Sequence, residues 1–71
     1  MSTQLREALL RIAEVQARTG ISRSQLYELV NSGKFPPPIP LVGRTRAWVE
    51  SDVSEWISSR IEAARAAGGT R

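Results

Sequence analysis

The sequence predicts a mainly α-helical fold with a small β-hairpin, and three patterns lead to this prediction. Two short helical segments flank Gly20, a proline-rich stretch and a hairpin pattern follow them, and an Ala-rich helical segment comes last. Two short helices joined by a tight turn that contains a glycine form a helix-turn-helix. Because a hairpin follows the second helix directly, the predicted fold class is a winged helix-turn-helix.

The first helix of the pair is predicted over residues 13–19, after a short apolar segment at residues 9–12. That segment is typical of a strand, or of the chain that leads into a helix. No residue that caps helices well stands at the start of the first helix, whereas Gly20 suits the left-handed backbone conformation at its end. If the segment forms a strand, we expect it to pair with the edge of the hairpin.

A capping pattern marks the start of the second helix. Ser22 is a good N-cap, and Gln25 stands at the third helical position, as in a capping box. We therefore expect the second helix to begin at Ser22 and to end before Gly33. Apolar side chains at helical spacing should bury the two helices against each other. These side chains are Val15, Ile21, Leu26 and Leu29.

The hairpin is predicted to follow a proline-rich connection at residues 35–40, which contains all four prolines of the chain. Proline is excluded from helix interiors and central strands, so this stretch is expected to be an extended connection. Residues 41–42 and 47–49 are expected to form the two strands. Gly43 and the basic residues that follow it would form the tip of the hairpin.

A third helix is predicted after the hairpin, with Asp52 as its N-cap and Glu55 at the third position of a capping box. Trp48 and Trp56 are the two largest apolar side chains. We expect them to pack the hairpin against the third helix, and not to stack on a nucleic acid. Phe35 is expected to anchor the proline-rich connection.

The composition restricts the function classes. Ten Lys and Arg residues against seven Asp and Glu give a net charge of +3, and Cys and His are absent. Disulfides and the usual zinc sites are thereby excluded, and no phosphate-binding glycine loop or catalytic cluster is present. We expect neither an enzyme nor a cofactor or metal. No apolar run approaches the ~20 residues that span a bilayer, so no membrane partner and a cytoplasmic location are expected.

The domain organisation follows from the same patterns. We expect a flexible N-terminal arm at residues 1–8, a winged helix-turn-helix domain at residues 9–60, and the end of the C-terminal helix with a tail at residues 61–71. A domain of this size has a small core, so it is expected to gain stability from a partner subunit or from its ligand.

The solvent-facing side of the second helix is polar and rich in hydrogen-bonding groups. On an isolated helix such a face is usually only solvated, but here it lies in a helix pair that precedes a basic hairpin. This context favours a recognition helix in the DNA major groove, with the hairpin tip on phosphates or in a minor groove. The expected contact residues are Arg23, Ser24, Gln25, Tyr27, Glu28 and Asn31 on the helix, and Arg44, Thr45 and Arg46 on the wing.

Several short motifs occur in order between residues 9 and 60. They are Leu10-Arg11-Ile12 with Glu14-Val15, Thr19-Gly20-Ile21-Ser22-Arg23-Ser24, Gly33-Lys34-Phe35-Pro36, Arg46-Ala47-Trp48, and Glu50-Ser51-Asp52-Val53 with Trp56-Ile57. In this order they resemble the AlpA-type regulators, a group similar to the phage excisionases and to the DNA-binding part of MerR regulators. The resemblance implies a MerR/excisionase-like winged helix that reads double-stranded DNA with its second helix and its wing.

The resemblance leaves two regulatory functions open. An excisionase, or recombination directionality factor, would bind cooperatively beside an attachment site and bend the DNA, so that the integrase excises the element. Its expected partners are duplex DNA, a phage integrase and further copies of itself, strand-swapped or head-to-tail. An AlpA-type transcription regulator would bind promoter DNA. The short chain favours the excisionase, and a protein-interaction module that does not bind DNA is the third alternative.

Overall fold

The computed structural model describes residues 8–68, in which a small antiparallel sheet packs against three helices. The elements in chain order are β1 (Leu9–Leu10), α1 (Ile12–Thr19), α2 (Arg23–Asn31), β2 (Ile39–Pro40), β3 (Arg46–Val49) and α3 (Glu50–Gly68). This order confirms the predicted winged helix-turn-helix. Residues 1–7 of the predicted arm and residues 69–71 of the predicted tail lie outside the described residues.

Helix α1 begins after Arg11, which is its N-cap residue. The Arg11 carbonyl accepts hydrogen bonds from the N–H groups of Glu14 and Val15, at 2.9 and 3.1 Å. In return, the Arg11 N–H donates to the Glu14 carboxylate at 3.3 Å. The helix ends at Gly20, whose φ of 74° lies in the left-handed region and whose N–H donates to the Gln16 carbonyl. Glycine adopts this conformation without steric cost, which is why the turn forms here.

Helix α2 begins where the capping pattern predicts. The Ser22 hydroxyl oxygen accepts a hydrogen bond from the Gln25 N–H at 3.3 Å, and the same hydroxyl donates to the Gln25 side-chain oxygen at 3.4 Å. The Gln25 side chain thus meets the Ser22 hydroxyl and not the Ser22 N–H, so one half of the capping box is present. Leu26 is fully buried against α1, as expected for the helix pair.

The sheet has the order β1–β3–β2, with both pairs antiparallel. Leu10 lies opposite Trp48 in the first pair, which confirms the expected pairing of an N-terminal strand with the hairpin. The predicted strand at residues 41–42 is wrong, because β2 is Ile39–Pro40 and lies inside the proline-rich stretch. Proline is tolerated in β2 because an edge strand has no partner strand on its outer side, so a missing N–H on that side loses no hydrogen bond.

Helix α3 follows β3 without a linker and begins at Glu50. The prediction that Asp52 caps this helix is wrong, since Asp52 lies within its first turn. The Glu50 N–H at the helix start instead donates to the Ala8 carbonyl at 2.8 Å, so the chain before β1 supplies the acceptor. Glu50 and Asp52 both place a carboxylate near the positive end of the helix dipole, which stabilises α3.

The core lies between the sheet, the helix pair and the first half of α3. Its buried members are Leu10, Val15, Leu26, Phe35, Trp48 and Val53. The indole N–H of Trp48 donates to the Pro36 carbonyl at 2.8 Å, and that of Trp56 donates to the Lys34 carbonyl at 2.7 Å. The Trp56 ring meets Phe35 edge-on at 4.7 Å between centroids. The expected packing of Phe35 and of both tryptophans in or against the core is confirmed. The two indoles, however, are joined to the connection at Lys34 and Pro36 and do not join the hairpin to α3.

No helix between residues 8 and 68 combines the length and the apolar character that crossing a membrane requires.

Candidate nucleic-acid interface

A groove lies between the start of α2 and the wing, which is the hairpin of β2 and β3. The residues that line it are Arg11, Ile12, Arg23, Tyr27, Arg44, Thr45, Arg46 and Trp48. Four of these eight residues are arginines and none is acidic. They come from the start of α1, the start of α2, the hairpin turn and β3. We call this feature the arginine groove.

The recognition-helix side of the arginine groove is built on the first turn of α2. Arg23 is the first residue of the helix, and its guanidinium lies 5.8 Å from the centroid of the Tyr27 ring, one turn later. At this distance a cation interacts favourably with the face of an aromatic ring. The Tyr27 ring is half-buried and lies 6.4 Å from the Trp48 ring. Arg23 is therefore connected to the core through two aromatic side chains.

The wing side of the arginine groove is set by the hairpin. Arg46 and Trp48 are two residues apart on β3, so their side chains lie on the same face of the sheet. The turn is closed by two backbone hydrogen bonds of 2.8 Å, from the Leu41 N–H to the Thr45 carbonyl and from the Thr45 N–H to the Val42 carbonyl. This closed turn holds Arg44 beside Arg46 at the rim of the groove.

Among residues 8–68, no carboxylate forms an ion pair with an arginine of the arginine groove. Within residues 8–68, the one ion pair joins Arg18 to Glu50 at 2.9 Å, and both residues lie outside the groove. Each groove arginine is exposed to solvent and has no carboxylate within ion-pair distance among the described residues. Uncompensated guanidinium groups that converge from several elements produce a positive potential suited to phosphates.

The structure brings together five of the nine residues that the sequence predicts to contact DNA. Arg23, Tyr27, Arg44, Thr45 and Arg46 all line the arginine groove. The remaining four are exposed on α2 outside the groove lining, and they are Ser24, Gln25, Glu28 and Asn31.

Arg11 is the groove arginine that sequence reasoning missed, and the other two lining residues outside the predicted set, Ile12 and Trp48, are apolar. Arg11 lies at the N-cap of α1, and the other three groove arginines follow it by 12 to 35 positions, so no local pattern joins them. The signal that could have found it is the residue type, because arginine is a poor N-cap. Within residues 8–68, no three side chains of the metal-binding types are grouped together.

Comparisons with known proteins agree with this architecture. The family model described as Prophage CP4-57 regulatory protein (AlpA) matches residues 8–61. The protein named Uncharacterized protein ORF88, from Enterobacteria phage P4, is 46% identical over 55 residues, which cover 78% of this chain and 62% of the phage protein. This chain therefore spans less than two thirds of the length of that relative.

A second relative has a functional name. The DNA-binding transcriptional activator AlpA of Escherichia coli strain K12 is 29% identical over 58 residues, which cover 73% of this chain and 83% of that protein. No solved structure matches the chain. The family match spans every strand, α1, α2 and most of α3, and the chain therefore belongs to the AlpA family of prophage regulatory proteins.

Proposed function

We propose that this protein is a sequence-specific regulator that binds double-stranded DNA of a phage or mobile element. Helix α2 enters the major groove, and the wing lies on the adjacent minor groove or backbone. The observation that carries the proposal is the arginine groove, whose lining contains four arginines from separate elements and no acidic residue. The E. coli relative, whose name describes it as DNA-binding, supports the same conclusion.

Base recognition is assigned to the exposed polar residues of α2. Gln25 and Asn31 carry amides of the kind that pair with an adenine edge, and Glu28 can accept a hydrogen bond from the amino group of cytosine. Ser24 can contact a base or a phosphate. All four side chains are exposed and none belongs to the core. Ser24, Glu28 and Asn31 are therefore available for new contacts, whereas Gln25 would exchange its 3.4 Å contact with the Ser22 hydroxyl.

Two regulatory roles fit this surface, and each has its own support. Promoter control is supported by the name of the E. coli relative, a transcriptional activator. An excisionase role is supported by the resemblance of the AlpA group to phage excisionases. Its cooperative binding, with bending of the DNA for the integrase, would need contacts between neighbouring copies. Two exposed apolar residues of the edge strands, Leu9 at 40% and Ile39 at 39%, offer such a contact.

The alternative of a protein-interaction module has less support. That module would use the proline-rich stretch together with an apolar patch at the two tryptophans. Trp48 is only 1% exposed, and the indole N–H groups of both tryptophans donate to backbone carbonyls of the preceding loop. Only the half-buried ring of Trp56 therefore remains of that patch. A regulator of phage DNA would act in the bacterial cytoplasm, where its target DNA is located.

A mobility-shift selection on fragments of the source genome tests these proposals. The shifted DNA is recovered and sequenced. Tandem sites beside an integrase attachment site that shift in cooperative steps would indicate an excisionase. Single or inverted sites at promoters would indicate a transcription regulator. If no fragment shifts even at low salt, the proposal of DNA binding is wrong, because phosphate contacts are strongest under that condition.

A further inference from the structure

We propose that the arginine groove holds the one DNA strand whose backbone passes between the recognition helix and the wing, and that Arg11 binds a phosphate of this strand. This inference rests on the proposed function. The major and minor grooves of a duplex are separated by one sugar-phosphate backbone. If α2 occupies the major groove and the wing the adjacent minor groove, that backbone must lie in the space between them. The arginine groove is this space.

The chemistry of the arginine groove suits a phosphate more than a base edge. Besides its arginines, the groove is lined by Ile12, Tyr27 and Trp48. Apolar walls exclude water and strengthen the attraction between fixed cations and an anion. Because the lining has no carboxylate, the amino groups of bases meet no strong acceptor there. Because an arginine can also read a guanine edge, the groove is assigned to the backbone by its position between α2 and the wing, and base reading is assigned to the exposed face of α2.

Arg11 is poorly suited to its local position in the fold. A good N-cap accepts a hydrogen bond from the first helical turn, and a guanidinium has no acceptor atom. Its positive charge also lies at the positive end of the α1 dipole, which destabilises the helix. Glu14 accepts from the Arg11 N–H, but no carboxylate lies within ion-pair distance of the Arg11 guanidinium among residues 8–68. A residue that breaks a local folding rule without compensation indicates a functional role.

The substitution Arg11→Ser tests the inference, because it separates stability from binding. Serine is a good N-cap, so the melting temperature is expected to rise by about 4–8 °C. Affinity for a fluorescein-labelled random-sequence duplex of about 30 base pairs is expected to fall roughly tenfold in low salt. The slope of log affinity against log salt is expected to decrease in magnitude by about 0.9, the value for one phosphate contact.

Arg65→Ser is the matched control, since it makes the same charge change at an exposed position on α3, outside the arginine groove. If both variants lose the same amount of affinity and of salt slope while the wild type binds DNA, the effect is one of net charge alone and the inference is wrong. If the wild type itself does not bind the duplex, the proposed function has failed instead.

Arg11→Lys provides a second, charge-preserving variant. It is expected to keep the salt slope of the wild type, because an ammonium also binds phosphate as a point charge. If Arg11→Lys and Arg11→Ser both melt at lower temperature and both bind weakly, Arg11 has a structural role and the inference is wrong.

Discussion

The double substitution Arg44→Ala and Arg46→Ala measures how much of the DNA affinity comes from the wing. Both side chains line the arginine groove, both are exposed, and neither has an ion-pair partner within residues 8–68. Each arginine that holds a phosphate contributes about 0.9 to the slope of log affinity against log salt, so their removal should lower the slope by about 1.8. When the salt concentration doubles, the fold-loss of affinity in the wild type is therefore about 3.5 times the fold-loss in the variant.

Fluorescence anisotropy titrations of a labelled duplex at four or more salt concentrations measure this slope. The folding of the variant is checked by its thermal melt, which should move by no more than a few degrees, because exposed residues away from caps and cores contribute little stability. The matched control is Arg60→Ala with Arg65→Ala, which removes two exposed arginines of α3 outside the arginine groove. An unchanged slope in the wing variant, or an equal change in the control, would refute the wing assignment.

Three further predictions concern the stability of the domain, each checked by circular dichroism melts. Trp48→Ala removes a side chain that is 1% exposed and leaves the Pro36 carbonyl without its donor. The free energy of unfolding should fall by about 3–5 kcal/mol, which equals the whole stability that a core of this size supplies. A cooperative melt near the wild-type temperature would therefore contradict the core assignment. In Gly20→Ala the added Cβ meets no atom within 4 Å, but alanine must adopt a φ of 74°. This strain should lower the melting temperature by about 4–8 °C. An unchanged melting temperature would show that the turn can relax. Glu50→Gln breaks an ion pair whose side chains are 42% and 37% exposed, so the loss should stay below about 1 kcal/mol and shrink further in high salt. A larger loss that is insensitive to salt would point to the start of α3 instead of to the ion pair.

Local sequence patterns are sufficient to predict the elements that depend on neighbouring residues. Gly20 and the Ser22 cap define the turn and the start of α2, because a left-handed glycine and a hydroxyl cap act over three or four positions. The basic hairpin tip and the residue types of α2 likewise indicated a DNA-binding surface. The ordered motifs indicated the AlpA family, which the match over residues 8–61 confirms.

Three other features depend on tertiary contacts, and local patterns do not predict them. Pro40 lies in a strand because β2 is at the edge of the sheet, and edge position is a property of the sheet and not of the residue. Helix α3 begins at Glu50, two residues before Asp52, because the Ala8 carbonyl, 42 positions earlier in the chain, accepts the Glu50 N–H. Arg11 joins Arg46 in one groove because the pairing of β1 with β3 brings the two chain segments together. Each of these features depends on contacts between residues far apart in the chain, and such contacts form only when the core packs.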